Sequence, residues 1–444
     1  MRPKTVNNRD LAVTHKRVLT IAVPIVIANA STPVLGLVDT GVVGQLGEAA
    51  PIGAVAVGAA ILSALYLMFS FLRMGTVGLA AQAFGASQFG EADAILSRAL
   101  LVGFAGGALV ILLQAQIAGL AFYVSPASQE VETLARAYFS IRVWSAPAAI
   151  ASFGIIGWLI AQERTIAVLA IQVFTNGLNI ILDLAFVLGL NWGVEGVAFA
   201  TFIAEWSGLF LGLWLCRAAF GRAYWRNATL VLNRLGLRRM AGVNTDILIR
   251  TAMLQVIMVS FLLLGARYGD APLAANQILL HLLFVTMHAL DGFAFAAEAM
   301  VGSAFGAKRR SELRRSVVMT AQWGLGIVLV LSGIFALLGG QVIDVLTTAD
   351  DVREVARQYL FWMVLVPIIG MPAWMLDGVF VGATRTRDMR NMMFVALCVY
   401  GLALLVLLPI FENHGLWAAL LVSLMVRGLT LAIRYPALEA SVRD

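Results

Sequence analysis

Six acids stand inside long apolar stretches of this 444-residue chain: Asp39, Asp183, Glu205, Asp291, Glu298 and Asp377. A carboxylate in hydrocarbon is costly enough to need a partner or a task. Asn176, Asn179 and Asp183 follow an i, i+3, i+7 spacing, which lays them along one stripe of a helix. Carboxylates and amides gathered in this way suit a proton or a small cation, because desolvation favours the neutral acid and a nearby cation favours the anion. Asp39 as an interfacial cap, and Asn176 and Asn179 as hydrogen-bonding glue between helices, are the purely structural readings of the same residues. Other chemistries lack their side chains. No phosphate-binding G-x-x-x-x-G-K-[ST] loop is present, and Gly302-Ser303-Ala304-Phe305-Gly306-Ala307-Lys308 has neither its spacing nor its hydroxyl. Its Gly302 and Gly306 read as a close-packing pair. His281 and His288 share a helix face without a cysteine or carboxylate pattern beside them, and Cys216 and Cys398 stand alone. No metal, no cofactor and no enzymatic activity are expected.

The elements that must position these residues are membrane helices. Hydrophobic residues make up 61% of the chain and charged residues 13%, with a mean hydropathy of +0.89, whereas soluble domains carry about 25% charged residues. Apolar runs predict twelve spans, at 17–39, 52–74, 94–118, 134–160, 166–188, 195–216, 246–267, 273–303, 315–338, 354–381, 391–410 and 416–434. The first run carries Pro24, where a lost backbone hydrogen bond permits bending, and is too long for a cleaved signal segment. Arginine and lysine cluster before span one, between spans six and seven, and after spans eight and ten. The alternate loops 40–51, 119–133, 189–194 and 411–415 contain none. This alternation predicts both termini in the cytoplasm and accounts for the basic balance without a nucleic-acid partner. At about 1.5 Å per residue, Asp39 comes about 33 Å along span one, Asn179 and Asp183 about 20 and 26 Å along span five, and Thr201 about 10 Å in from the outer end of span six. These four oxygen-bearing side chains therefore share the outer half of the membrane. Asp291, Glu298 and Asp377 fall in the cytoplasmic half, where Arg73, Arg142 or loop arginines could pair with them.

The chain is also duplicated. Ala81-Gln82-Ala83-Phe84-Gly85-Ala86 matches Gly302-Ser303-Ala304-Phe305-Gly306-Ala307, and Trp158–Thr165 matches Val379–Thr386, both at an offset of 221. Pro147 with Pro367, and Asn191 with Asn413, fall within one residue of that offset. Six spans per half send both halves into the membrane in the same direction. The expected fold is all-α and polytopic, two six-helix bundles related by a pseudo-two-fold along the membrane normal. Residues 1–216 form the first lobe, 217–245 a cytoplasmic linker and 246–444 the second lobe.

Several stretches resemble the multidrug and toxic compound extrusion (MATE) transporter family, in its DinF-like branch. They are Val38-Asp39-Thr40-Gly41-Val42-Val43-Gly44, Phe71-Leu72-Arg73-Met74, Gln82-Ala83-Phe84-Gly85-Ala86, Leu290-Asp291-Gly292-Phe293-Ala294-Phe295-Ala296-Ala297-Glu298-Ala299, Leu376-Asp377-Gly378-Val379-Phe380-Val381-Gly382-Ala383-Thr384-Arg385 and Met389-Arg390-Asn391. The resemblance implies export of organic cations or amphipathic drugs from the bacterial cytoplasmic (inner) membrane, in exchange for protons or sodium, by a protein in contact with membrane lipids and acting as a monomer. It also implies that Asp39 on a bent first helix works with Asn179, Asp183 and Thr201, the same four residues collected by depth. Glu205, Asn176, Asp291, Glu298 and Asp377 are secondary candidates. A sodium-coupled route through the second lobe expects an acid within helix seven, where this chain has Gln255 in the body and Asp246 only at the mouth. A lipid-linked precursor flippase would need a basic central cavity, and in-span arginines are few: Arg73, Arg142, Arg250 and Arg427.

Overall fold

The computed structural model describes residues 12–45, 48–124 and 128–442. Among them there is helix and connecting turn but no strand. Ten stretches are long and apolar enough to cross a bilayer. Helix α1 (His15–Gly44) precedes them with 30 residues, about 45 Å at the α-helical rise. Next come α2 (Ala49–Gly85, interrupted by a turn at Phe69–Ser70), α3 (Phe89–Leu112), α4 (Gln129–Ala161, tightened to a 3-10 turn at Val143–Ser145), α5 (Thr165–Gly189) and α6 (Gly193–Leu215). The second half supplies α7 (Arg234–Gly265), α8 (Asp270–Gly306), α9 (Arg310–Leu346) and α10 (Asp350–Gly382). The final stretch, Thr386–Ala440, is two helices meeting at Glu412, whose φ of 49° and ψ of −127° leave helical space. These are α11 (386–411) and α12 (413–440), which brings the number of spanning helices to the expected twelve.

Several helices run past the hydrophobic runs that announce them. Helix α2 continues to Gly85 rather than ending at 74, and α3 stops at Leu112, with a separate short helix at Gln114–Val124. Backbone hydrogen bonding continues once a helix is nucleated, whereas hydropathy reports only the part in hydrocarbon. Likewise α7 begins at Arg234, so the last third of the 217–245 connection is already helix. The rest of that connection is tied to α3. Buried Arg98 donates to the carbonyl oxygens of Val231 (2.8 Å) and Leu230 (2.7 Å) and pairs with Glu91, and Arg222 reaches Asp93 at 3.0 Å.

The duplication is visible in the backbone itself. Six non-glycine residues among those described have positive φ, and they form three pairs 221 positions apart: Ser87 with Lys308, Glu163 with Thr384, and Asn191 with Glu412. The last pair corrects the sequence alignment by one residue, since Asn191 corresponds in conformation to Glu412 rather than to Asn413.

Contacts divide the chain into two compact units. One holds Ile27–Ala80 with Gln88–Asn244. The other holds Thr245 onward, together with Ala81–Ser87 and the described residues up to Val26. The border within α1 thus falls just beyond Pro24. Within the second of these units the end of α2 is held against α8 by a reciprocal contact. A Cβ on Gly85 would lie 2.0 Å from the Ser303 carbonyl oxygen, and one on Gly306 would lie 2.0 Å from that of Gln82. Gly85 and Gly306, like Gln82 and Ser303, are separated by 221 residues, so the same contact is made twice. Gln82 adds a hydrogen bond of 2.9 Å to the Gly382 carbonyl. The α1 start is held in the same unit, where Gly292 of α8 leaves room for the Ala22 carbonyl and Val26. Gly306→Val should therefore lower the thermal midpoint in detergent by forcing these backbones apart, a cost of about 1–3 kcal/mol. Gly333→Ala, which meets nothing within 4 Å, should leave the midpoint in place.

Candidate functional site

Helix α5 is the spine of the site. Its apolar run presents Asn179 and Asp183 one turn apart, both buried at 1% and 0% exposure. Directly after Asp183 the helix widens into a π segment, Leu184–Gly189, closed by a bond from the Leu190 amide to the Ala185 carbonyl. Such a segment inserts a residue into the turn, re-aims the side chains around it, and is found disproportionately at functional sites. Asn179 donates both amide hydrogens, to Asp183 Oδ2 at 3.0 Å and to Thr201 Oγ1 of α6 at 3.3 Å. Thr201 passes its own hydrogen to the Val197 carbonyl at 2.9 Å. Asp39 of α1 completes the group, with its carboxyl within hydrogen-bonding reach of the Asp183 carboxyl.

The structure thus brings together the four residues collected from depth, and the remaining bonding capacity has one sign. Asp39 Oδ1, Asp183 Oδ1 and Asn179 Oδ1 are all buried, and none has a donor among the described residues. Three acceptor oxygens without a donor, on two carboxyls and an amide, have the chemistry to accept a proton or a small cation.

The secondary candidates are placed elsewhere. Asn176 donates to Ser31 Oγ of α1 at 2.8 Å, tying α5 to α1 without joining the aspartates. Glu205 is bound by a bidentate pair to Arg142, at 2.9 and 3.1 Å, and Arg142 also donates to Ser145 at 2.6 Å. A carboxylate already matched by a buried guanidinium is not free to take up a cation. The sequence offers Arg142 as a partner for second-lobe acids, whereas the structure puts it beside the first-lobe site, near enough for its charge to act on Asp39 and Asp183. The spacing that could have revealed this is Glu205 four residues after Thr201, on the same face of α6. The buried Tyr66 hydroxyl also belongs to this neighbourhood, beside Ser145 and close to Arg142 and Glu205. No sequence pattern singles it out.

In the second half, Asp377 lies between two guanidiniums, Arg250 of α7 and Arg427 of α12. Neither is in a loop. Asp246 accepts from Arg390 at 2.7 Å and from Thr386 at 3.0 Å. Asp291 and Glu298 also have interaction partners.

Known proteins share this architecture. The MatE family model matches residues 24–185 and 247–407, one copy in each half. The DNA damage-inducible protein F of Escherichia coli K12 is 41% identical over 414 residues, covering 93% of this chain and 90% of that protein. A probable multidrug resistance protein NorM of Pseudomonas aeruginosa is 26% identical, covering 87% of this chain and 80% of its own length. Among solved structures, the Vibrio cholerae MATE transporter VcmN in the bent form superposes with a TM-score of 0.85 at 20% identity, over 96% of this chain and 97% of that one. With the family model repeated in both halves and a relative at 41% identity along most of the length, the chain belongs to the MatE family of multi-pass membrane transporters.

Proposed function

We propose that this transporter exports amphipathic organic cations across the bacterial cytoplasmic membrane in exchange for protons, with both termini in the cytoplasm and a single chain supplying both lobes, 1–216 and 246–444, joined by 217–245. The observation that carries the reading is the set of donor-less buried oxygens on Asp39, Asp183 and Asn179. Arg142 and Glu205 neutralise each other, which leaves the two aspartates without an ion pair among the described residues. A proton arriving from outside satisfies them and removes their charge. Its loss toward the cytoplasm restores an anionic site that attracts a cationic substrate. The related NorM protein of Pseudomonas aeruginosa bears the description of a probable multidrug resistance protein, in keeping with this substrate class.

Protonation is read out by α1. Pro24 removes the amide that would donate to the Thr20 carbonyl, and the border between the two compact units lies two residues beyond it. Bending there would move Asp39 while the α1 start stays against Gly292. That the VcmN neighbour is described as being in the bent form supports such a motion.

The sodium-coupled alternative through the second lobe is weaker, because Asp377 and Asp246 are already answered by arginines. The lipid-linked precursor flippase remains as the reading for a chain that moves no organic cation.

The deciding experiment loads proteoliposomes with a fluorescent organic cation and imposes a pH gradient in sodium-free buffer. The native chain should transport, and Asp39→Asn and Asp183→Asn should each reduce the gradient-driven rate at least about tenfold, the loss of one strong charge interaction. Transport that requires sodium, or that survives both substitutions, would reassign coupling to the second lobe. Pro24→Ala should keep the native thermal midpoint in detergent while slowing transport, and an unchanged rate would remove bending from the mechanism. Asp377→Asn should behave oppositely to Asp39→Asn. By removing the carboxylate between two buried guanidiniums it should destabilise the fold by about 3–5 kcal/mol, seen as a lower midpoint, whereas Asp39→Asn breaks no ion pair and should not.

A further inference from the structure

At the basic end of the second compact unit, a groove of about 840 Å³ opens between the starts of α1 and α9 and the end of α12. His15, Arg310, Arg314, Arg315, Gln322 and Glu439 line it, with Val318 and Met319 beneath. Arg310 pairs with Glu439 at 3.1 Å. Arg314 and Arg315 are exposed and have no ion pair or hydrogen bond to any described residue. Three guanidiniums against one carboxylate leave the groove with an excess of two positive charges. His15 adds a polar ring to the groove, its Nδ1 accepting the indole hydrogen of Trp323 at 3.2 Å.

Below the arginines the same face of α9 turns apolar and stays open. Val318, Leu325 and Leu329 follow Arg314 at helical spacings of four, eleven and fifteen residues and are 46–53% exposed. A charged cradle at the mouth of an uncovered apolar track is laid out in the order of a phospholipid: headgroup first, acyl chain after it. We propose that this groove is a binding site for an anionic phospholipid, with the phosphodiester held by Arg314 and Arg315, the rest of the headgroup facing His15 and Gln322, and a chain lying along Val318 to Leu329. A soluble phosphate would use the same arginines but has no use for the track. The site is separate from the Asp39–Asp183 pair, and its test does not depend on proton coupling.

Native mass spectrometry of the purified full-length chain, titrated with phosphatidylglycerol, phosphatidylcholine or sodium phosphate, tests the assignment. Phosphatidylglycerol should be retained in preference to phosphatidylcholine, and Arg314→Gln/Arg315→Gln should weaken that retention about thirty-fold, at about fivefold per interfacial arginine. Arg234→Gln/Arg238→Gln, which removes the same charge from the inter-lobe connection, should leave it unchanged. Equal retention of the two lipids, or equal loss in the two double variants, would overturn the proposal in favour of bulk surface charge. Saturable binding of phosphate that displaces the lipid would overturn it in favour of a soluble phosphate ligand. Because both arginines are exposed, the lipid-free thermal midpoint of the first double variant should match the native one, and this match separates loss of the site from loss of the fold.

Discussion

Hydrocarbon cannot solvate a charge, so each ionisable side chain within these spans must be matched by another protein atom or held ready for a ligand. Most are matched. Arg142 and Glu205 satisfy each other through a bidentate pair, Asp377 lies between Arg250 and Arg427, and Asp246 is held by Arg390 and Thr386. Each pair crosses between helices and so also fixes where those helices pack. The Asp39–Asp183–Asn179 group differs in gathering three buried acceptor oxygens without donors among the described residues at one place, with no ion pair to answer its two carboxyls. Two facing carboxyls with acceptor oxygens to spare are the observation on which the proposed proton coupling rests.

Duplication shapes the fold, and departures from it shape the site. The two halves repeat the positive-φ turns at Ser87/Lys308, Glu163/Thr384 and Asn191/Glu412, and they repeat the close contact at Gly85 and Gly306. Yet the positions 221 residues after Asp39, Asn179, Asp183 and Thr201 are Ser260, Tyr400, Leu404 and Val422. Two of these are again joined, by a hydrogen bond of 3.2 Å between Ser260 and Tyr400. The second half thus keeps the contact between its equivalent helices with neutral hydroxyls, and the carboxylates are confined to the first. Arg142 likewise corresponds to Met363. Backbone geometry tolerates many side chains, so the repeat conserves its turns, while the chemistry depends on a few atoms and has become one-sided.

Helix α1 belongs to both compact units, and Pro24 lies at its border. Its start is held in the second unit by the indole of Trp323 on His15 and by the close approach of Gly292, while Asp39 lies twenty-four residues further on, among first-lobe helices. The proposed link between protonation and bending would run along this one helix, which starts in one unit and carries Asp39 in the other. The groove proposed to hold an anionic lipid lies at the start of the same helix.

Most of the architecture was legible in the residues alone. Helices in a bilayer must be long and apolar, so span number and duplication follow from hydropathy and the 221-residue offset. Depth along straight helices was enough to collect Asp39, Asn179, Asp183 and Thr201, since rise per residue is nearly constant. Partner choice was not legible. Arg142 with Glu205, Asp377 between Arg250 and Arg427, and Asn176 with Ser31 depend on how helices are rotated about their axes, a quantity that apolar composition on every face leaves open. The π turn after Asp183 and the orphaned oxygens around it belong to the same class. What the linear chain determined is which helices exist and where along each of them the polar residues stand; which of those side chains meet, and which atoms are left unanswered, was decided only by packing.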